Sequence, residues 1–322
     1  MRRTGPARAR LLCACLAMLL AAGCRRHETL PAERRIPLAA PVAEGATLAV
    51  DSAELLWIGT PGRLSALDTA GRAVAQVAMG RDSVPRVLWR TGSRLVVRDG
   101  RRLSHADAAG GTAAFGWGST AFRAAARDPR GRWVYAANRR GGIMGLDPAT
   151  LRPRWGWPET GGEALGVAVS PLADRVYVSV DRAGEVPPSV QVRDAASGRV
   201  LLAAEQSDAI HGLTAGPDGT LYGYSNGLVM RLRHGPEGLR RVWTGEPGVR
   251  GPAGELELRV DPSGAQVAVF GRGRGARLAV LDALTGRVLG QTTAPLDAAF
   301  GMEGRLYLLE PGGVRVMRPP TQ

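Results

Sequence analysis

A unit of about forty residues recurs along this chain, and nothing else in the sequence restricts the fold as strongly. A period of that length means stacked copies of one small piece of structure. The first half of the unit reads Asp128-Pro129-Arg130-Gly131-Arg132-Trp133-Val134-Tyr135 and returns as Ser170-Pro171-Leu172-Ala173-Asp174-Arg175-Val176-Tyr177. Further copies stand at 216–222 and 261–268. The second half, Leu64-Ser65-Ala66-Leu67-Asp68-Thr69-Ala70-Gly71-Arg72, returns at 190–199 and 278–287. Apolar runs between the turns, such as 165–169, 176–180, 256–260 and 305–309, have the length and alternation of strands. No stretch beyond residue 24 carries a helical period.

The turn residues have mechanical jobs. Pro presets φ at the first central position of a turn, and Gly accepts positive φ. An Asp closing the third strand can bond its own backbone two residues on and start the next turn. Asp68, Asp107, Asp147, Asp194 and Asp282 occupy that place, with His234 in the remaining copy. These carboxylates also invite a metal or acid–base reading, but their return in nearly every unit assigns them to turns. Units fall at 47–80, 81–118, 119–161, 162–208, 209–249 and 250–296, with a short last one at 297–322. Four strands per unit make the chain an all-β, seven-bladed β-propeller of antiparallel blades. The last unit supplies only three strands, so the apolar stretch 35–42 is expected to add the fourth, closing the ring and removing a free edge.

The first residues are of another kind. A basic segment with Arg2, Arg3, Arg8 and Arg10 precedes an apolar core, 11–20, and then Ala21-Ala22-Gly23-Cys24. That core is too short to span ~30 Å of hydrocarbon as a helix. Leu20-Ala21-Ala22-Gly23-Cys24 resembles the bacterial lipobox, with Ala21 where that family prefers Leu. The resemblance implies removal of residues 1–23 as a signal peptide and a lipid on Cys24, where two or three acyl chains give stable anchoring. Cys13 and Cys15 lie inside that leader, so no cysteine remains for an intrachain disulfide. Residues 24–35 read as a flexible polar tether and 36–322 as the propeller. Arg25 follows the Cys where inner-membrane lipoproteins carry Asp; the family pattern then implies the periplasmic face of the outer membrane.

The units themselves are similar to YVTN and quinoprotein-like propeller repeats. Trp133-Val134-Tyr135-Ala136-Ala137-Asn138, followed by Ile143-Met144-Gly145-Leu146-Asp147-Pro148-Ala149-Thr150, carries most of the likeness. Residues 64–80 resemble a quinoprotein-like repeat without its late Trp, and no Gly-His or Trp-Asp dipeptide points to the WD type. The resemblance implies a fold, not an activity.

Charge and side-chain chemistry narrow the function. The net charge of +13 comes wholly from Arg, there being no Lys, and four of those arginines lie in the leader. The rest are scattered over strands and turns instead of clustering with aromatics, which argues against nucleic acid. A metal-dependent lactonase or esterase needs convergent oxygen ligands, yet Asn138 and Asn226 are the only asparagines, and Glu255 and Glu257 are the main acids on inner strands. No Gly-Xaa-Ser-Xaa-Gly elbow occurs, and the Gly271-Arg272-Gly273-Arg274-Gly275 run lacks the following helix of a phosphate loop. His27, His105 and His234 read as solvated, whereas His211 opens an inner strand facing the channel. Arg86 and Arg123, also on inner strands, could bind an anion bidentately at the channel mouth. The expectation is therefore a non-catalytic binding or scaffold module without cofactor or metal. It would be held to the membrane through Cys24 and serve an envelope protein or glycan, with His211, Arg123, Arg86 and Glu257 as candidate channel-rim residues. The alternative is a lactonase-like enzyme or small-ligand binder, which would require Glu257, Asp261, Asn138 and His211 to cluster.

Overall fold

The computed structural model describes residues 29–80, 84–91, 94–99, 102–107, 112–113, 122–138, 140–157, 162–182, 186–249, 256–271 and 276–320. Cys24, His27, Glu255 and residues 272–275 lie outside the described residues.

Seven four-stranded antiparallel sheets form the blades of a β-propeller. A first strand, β1 (Ala32–Pro37), precedes blade 1, which is built from β2 (Thr47–Val50), β3 (Leu56–Thr60), β4 (Arg63–Leu67) and β5 (Ala73–Ala78). Blade 2 has β6 (Pro85–Thr91), β7 (Arg94–Asp99), β8 (Arg102–Asp107) and β9 (Thr112–Ala113). Blade 3 has β10 (Phe122–Arg127), β11 (Val134–Asn138), β12 (Ile143–Leu146) and β13 (Pro153–Trp157). Blade 4 has β14 (Gly162–Val169), β15 (Arg175–Arg182), β16 (Ser189–Asp194) and β17 (Val200–Glu205). Blade 5 has β18 (His211–Ala215), β19 (Leu221–Ser225), β20 (Leu228–Gly235) and β21 (Gly238–Gly245). Blade 6 has β22 (Glu257–Val260), β23 (Gln266–Phe270), β24 (Arg277–Asp282) and β25 (Val288–Thr293). Blade 7 joins β26 (Asp297–Phe300), β27 (Leu306–Glu310) and β28 (Gly313–Met317) to β1, so the two ends of the domain share one sheet.

The closing strand comes earlier than the sequence indicates. Ile36 pairs with Val314 and Arg34 with Val316, whereas residues 38–42 are not strand. Residues before β1 also join the propeller: Thr29 bridges Gln291 of β25, and Leu30 is buried between blades 6 and 7. Residues 29–35, expected to be tether, are thus part of the propeller. Their physical disguise is the outer-strand position: only Ile36 of β1 is buried, so the segment shows no apolar alternation.

Seven apolar clusters fill the seven gaps between neighbouring blades. Alternation along the second strands generates them, since successive side chains leave opposite faces of a sheet. In β27, Leu306 and Leu308 pack toward blade 6, whereas Tyr307 and Leu309 pack toward blade 1. The recurring Tyr of the unit also clasps the next blade. The Tyr135 hydroxyl donates to the Ala195 carbonyl at 3.2 Å, and that of Tyr307 to Glu54 at 3.0 Å. Outer-strand tryptophans do the same: Trp157 Nε1 donates to the Ser197 carbonyl at 3.1 Å and Trp243 Nε1 to that of Ala283 at 3.2 Å. Each indole lies on a glycine of the neighbouring turn, Gly198 or Gly286, where φ is +72° and +74° and a Cβ would collide with the ring.

The aspartates at the ends of third strands hold turns, as their periodicity indicates. Asp68 accepts from the Ala70 and Arg72 amides, Asp147 from Ala149 and Thr150, Asp194 from Ser197 and Asp282 from Thr285. His105 and His234 are not simply solvated. His105 Nε2 lies 2.8 Å from the Pro148 carbonyl of the next blade, and His234 packs edge-on against Tyr177.

Candidate functional site

Every inner strand begins with a polar side chain in its first two residues: Thr47, Arg86, Arg123, Glu163, His211, Glu257 and Asp297. Together they form one polar layer near one end of the channel, a single residue from each blade. Apolar side chains there would face water, whereas unpaired charges would be stranded between blades. The sequence meets both demands by pairing the charges across blades.

Asp297 is the anchor of this layer and is fully buried. Its Oδ2 accepts the Leu48 amide of blade 1 at 2.8 Å, and its Oδ1 accepts its neighbour's amide, Ala298, at 2.8 Å. Arg86 reaches from blade 2 to donate to Asp297 through one nitrogen and to Glu257 Oε2, on blade 6, at 2.9 Å through the other. Arg259 also donates to Glu257 and stands 3.4 Å from Asp297 Oδ1. Burial alone would push the Arg86 guanidinium down, but Asp297 and then Glu257 outweigh it, so its pKa lies above the ordinary arginine value. Two of the expected rim residues, Arg86 and Glu257, are therefore brought together, but they neutralise each other and tie blades 2, 6 and 7. Arg86 is not an open anion fork.

The other side of the layer is looser. Arg123 pairs with Glu163 of blade 4, and Arg98 Nη1 donates to the Arg123 carbonyl at 3.2 Å. His211 faces the same space, where its Nδ1 is buried without a hydrogen-bond partner among the described residues. Burial first, then the Arg123 charge, lowers the His211 pKa against the opposing pull of Asp181 and Glu163. At neutral pH the imidazole is uncharged.

Below this layer the channel opens into a cavity of about 870 Å³, walled by β6, β10, β14, β18 and β22. Among the described residues, Arg86, Arg98, Arg123, Arg127 and Arg259 line it, against the single acid Glu257. Arg127 ends β10, is accessible from the cavity, and forms no ion pair among the described residues. Desolvation against the cavity wall lowers its pKa, although the side chain remains exposed.

The residues a lactonase-like centre would need do not converge. Asn138 Oδ1 caps its own turn, accepting the Arg140 and Gly142 amides at 3.0 and 2.8 Å, and Asp261 bonds Ser263 in another turn. Only Glu257 and His211 of the four face the cavity. Among the described residues no group of three or more His, Cys, Asp or Glu side chains is placed to hold a metal. Asp297, Arg259, Glu163, Arg98 and Arg127 escape a sequence reading that ranks residues singly. Aligning the seven units on their first strands would place Asp297 and Glu163 in one column with Arg86, Arg123, His211 and Glu257.

No protein-family model matches the chain, and neither does any curated protein. Among solved structures it is similar to a chain of the Kuenenia stuttgartiensis hydrazine synthase, with a TM-score of 0.67 and 16% identity, covering 93% of this chain and 99% of that one. At that identity the likeness is one of fold alone, and the fold it supports is the seven-bladed β-propeller.

Proposed function

We propose that this protein is a lipid-anchored propeller of the cell envelope that works by binding a partner and carries out no chemistry on it. The observation that carries the binding reading is the state of the channel carboxylates. Glu257, Asp297 and Glu163 are each committed to arginine, and the charged side chains that line the cavity are predominantly arginine. A general acid or a hard-metal ligand set needs carboxylates left to titrate or coordinate. A recognition surface needs fixed, charged donors, and pairing across blades fixes them.

The anchor reading rests on the leader and Cys24. An envelope protein or glycan on the periplasmic face of the outer membrane is the expected partner. The experiment is capture from detergent-solubilised envelope with wild type and Cys24→Ser in parallel. One stoichiometric partner, recovered in greater amount by the anchored chain, supports the reading. Bound metal together with ester turnover, and no partner, overturns it in favour of a channel enzyme.

A further inference from the structure

We infer that the central cavity is a site for a small molecule carrying two or more anionic groups, carboxylate or phosphate, held by Arg98, Arg123 and Arg127. This goes beyond the binding reading above: it assigns the channel a small ligand of its own beside the envelope partner. The volume, about 870 Å³, lies within the range that encloses a small ligand and is far too narrow for a folded partner.

Charge gives the sign. Five arginines line the cavity against one lining carboxylate. Asp297 and Glu163 stand behind the wall as ion-pair partners, and Asp181 acts on His211, so among the described residues five arginines stand against these four acids. The distribution is uneven. Arg86 and Arg259 share Glu257 and Asp297 on one side, which closes that side electrostatically. On the wall made by blades 2 and 3, Arg98 and Arg123 sit at one end of β10 and Arg127 at the other. Arg127 follows Arg123 four residues along the strand, about 13 Å at the usual rise. Two anionic groups on one molecule can therefore be gripped at separate points, whereas a single small anion meets one end only. His211 adds a neutral imidazole whose Nδ1 lacks a partner, a ready hydrogen-bonding group for the ligand's polar edge. Planar guanidinium suits both carboxylate and phosphate through paired hydrogen bonds.

The test uses the purified full chain in detergent, titrated calorimetrically with citrate and separately with inorganic pyrophosphate. Binding of either is expected, and the preferred anion distinguishes a carboxylate from a phosphate ligand. Arg127→Gln and Arg98→Gln should each weaken it by about tenfold or more, Arg127→Lys less, and Arg34→Gln on the outer strand of blade 7 not at all. Thermal unfolding of each variant separates lost binding from lost folding. No heat with either anion at about 1 mM, or binding that survives both glutamine variants in folded protein, overturns the inference. Partner capture that persists while the anions fail to bind leaves the binding reading standing and removes only this one.

Discussion

Replacing Asp297 by Asn removes one negative charge from the most buried point of the channel layer and tests whether that layer holds the ring together. Asn keeps an acceptor for the Leu48 amide, which Asp297 receives at 2.8 Å, but loses the charge that faces Arg86 and Arg259. Breaking a buried pair by removing one partner costs about 3–5 kcal/mol, chiefly because the remaining charge is left uncompensated. Glu257 still serves Arg86 from the other side, so the lower end, about 3 kcal/mol, is expected. For a domain of about 290 residues the unfolding entropy is about 0.6 kcal/mol/K, which converts that loss into a fall in Tm of about 5 °C. Arg86→Met should cost a similar amount, because it leaves the fully buried Asp297 carboxylate without its Arg86 partner. If the two residues act as a pair, the double variant loses much less than the sum, with a coupling of about 2–3 kcal/mol. Differential scanning calorimetry at pH 7 on the four chains reads the cycle. Arg154→Gln, which breaks the exposed Arg154–Asp147 pair, is the control and should leave Tm unmoved. Strict additivity of the two channel variants, or a shift below about 1 °C for Asp297→Asn, refutes the argument that cross-blade charge pairing stabilises the ring.

Other outcomes follow from single contacts. Glu54→Ala deletes the acceptor for the Tyr307 hydroxyl and the Met302 amide across the blade 7–blade 1 gap, and should lower urea stability by about 1–2 kcal/mol while speeding hydrogen exchange in β1. Gly286→Ala and Gly227→Ala both put a Cβ at positive φ, but only Gly286 has the Trp243 ring 2.7 Å from it, so its Tm should fall further by an amount equivalent to about 1–3 kcal/mol. Asp51 is held below the ordinary carboxylate range because hydrogen bonds from Trp57, Arg90, Leu55 and Ala53 outweigh the upward push of burial. Its folded pKa is thus lower than its unfolded one near 3.8, so its stabilising contribution is complete above that value and is lost as pH falls through the folded pKa; Asp51→Asn should flatten acid unfolding over that window. Cys24→Ser should abolish partitioning into the detergent phase; unchanged partitioning refutes the anchor reading.

The sequence made the blades legible because the rules that produce them are local. Turn chemistry at 128–131, 216–219 and 261–264 and alternation in the runs after it recur inside single units, and the blade limits follow from them. Closure by an N-terminal strand is legible, but its bounds are 32–37 instead of 35–42 because outer-strand position removes the signal: β1 buries Ile36 alone, and the more apolar 38–42 is not strand. At the channel, Arg86 and Glu257 stood out singly. Their meeting joins residues 171 positions apart on blades 2 and 6, so no unit-by-unit reading contains it. His105 failed for a similar reason, since its partner is a carbonyl of the next blade.

That division between local and distant information bears on how seven blades become a closed ring. Six of the seven interblade gaps join units adjacent in the chain and form with little loop closure. The seventh brings blade 7 to blade 1 across about 250 residues, and closing a flexible loop of that length carries an entropic cost of about 5 kcal/mol beyond a constant. An open arc would keep six apolar clusters and lose one, a modest difference if every gap were alike. The gaps are not alike. The closing one alone combines an apolar cluster with strand exchange at β1, the Asp297 carboxylate on the Leu48 amide, and Glu54 on Tyr307 and Met302. Repetition makes interchangeable blades, and these unrepeated residues distinguish the seam. Asp297 belongs to both the seam and the channel layer, so the group that closes the ring also consumes Arg86, while Arg123 pairs with Glu163 and Arg127 stands without an ion pair among the described residues on the far wall of the cavity.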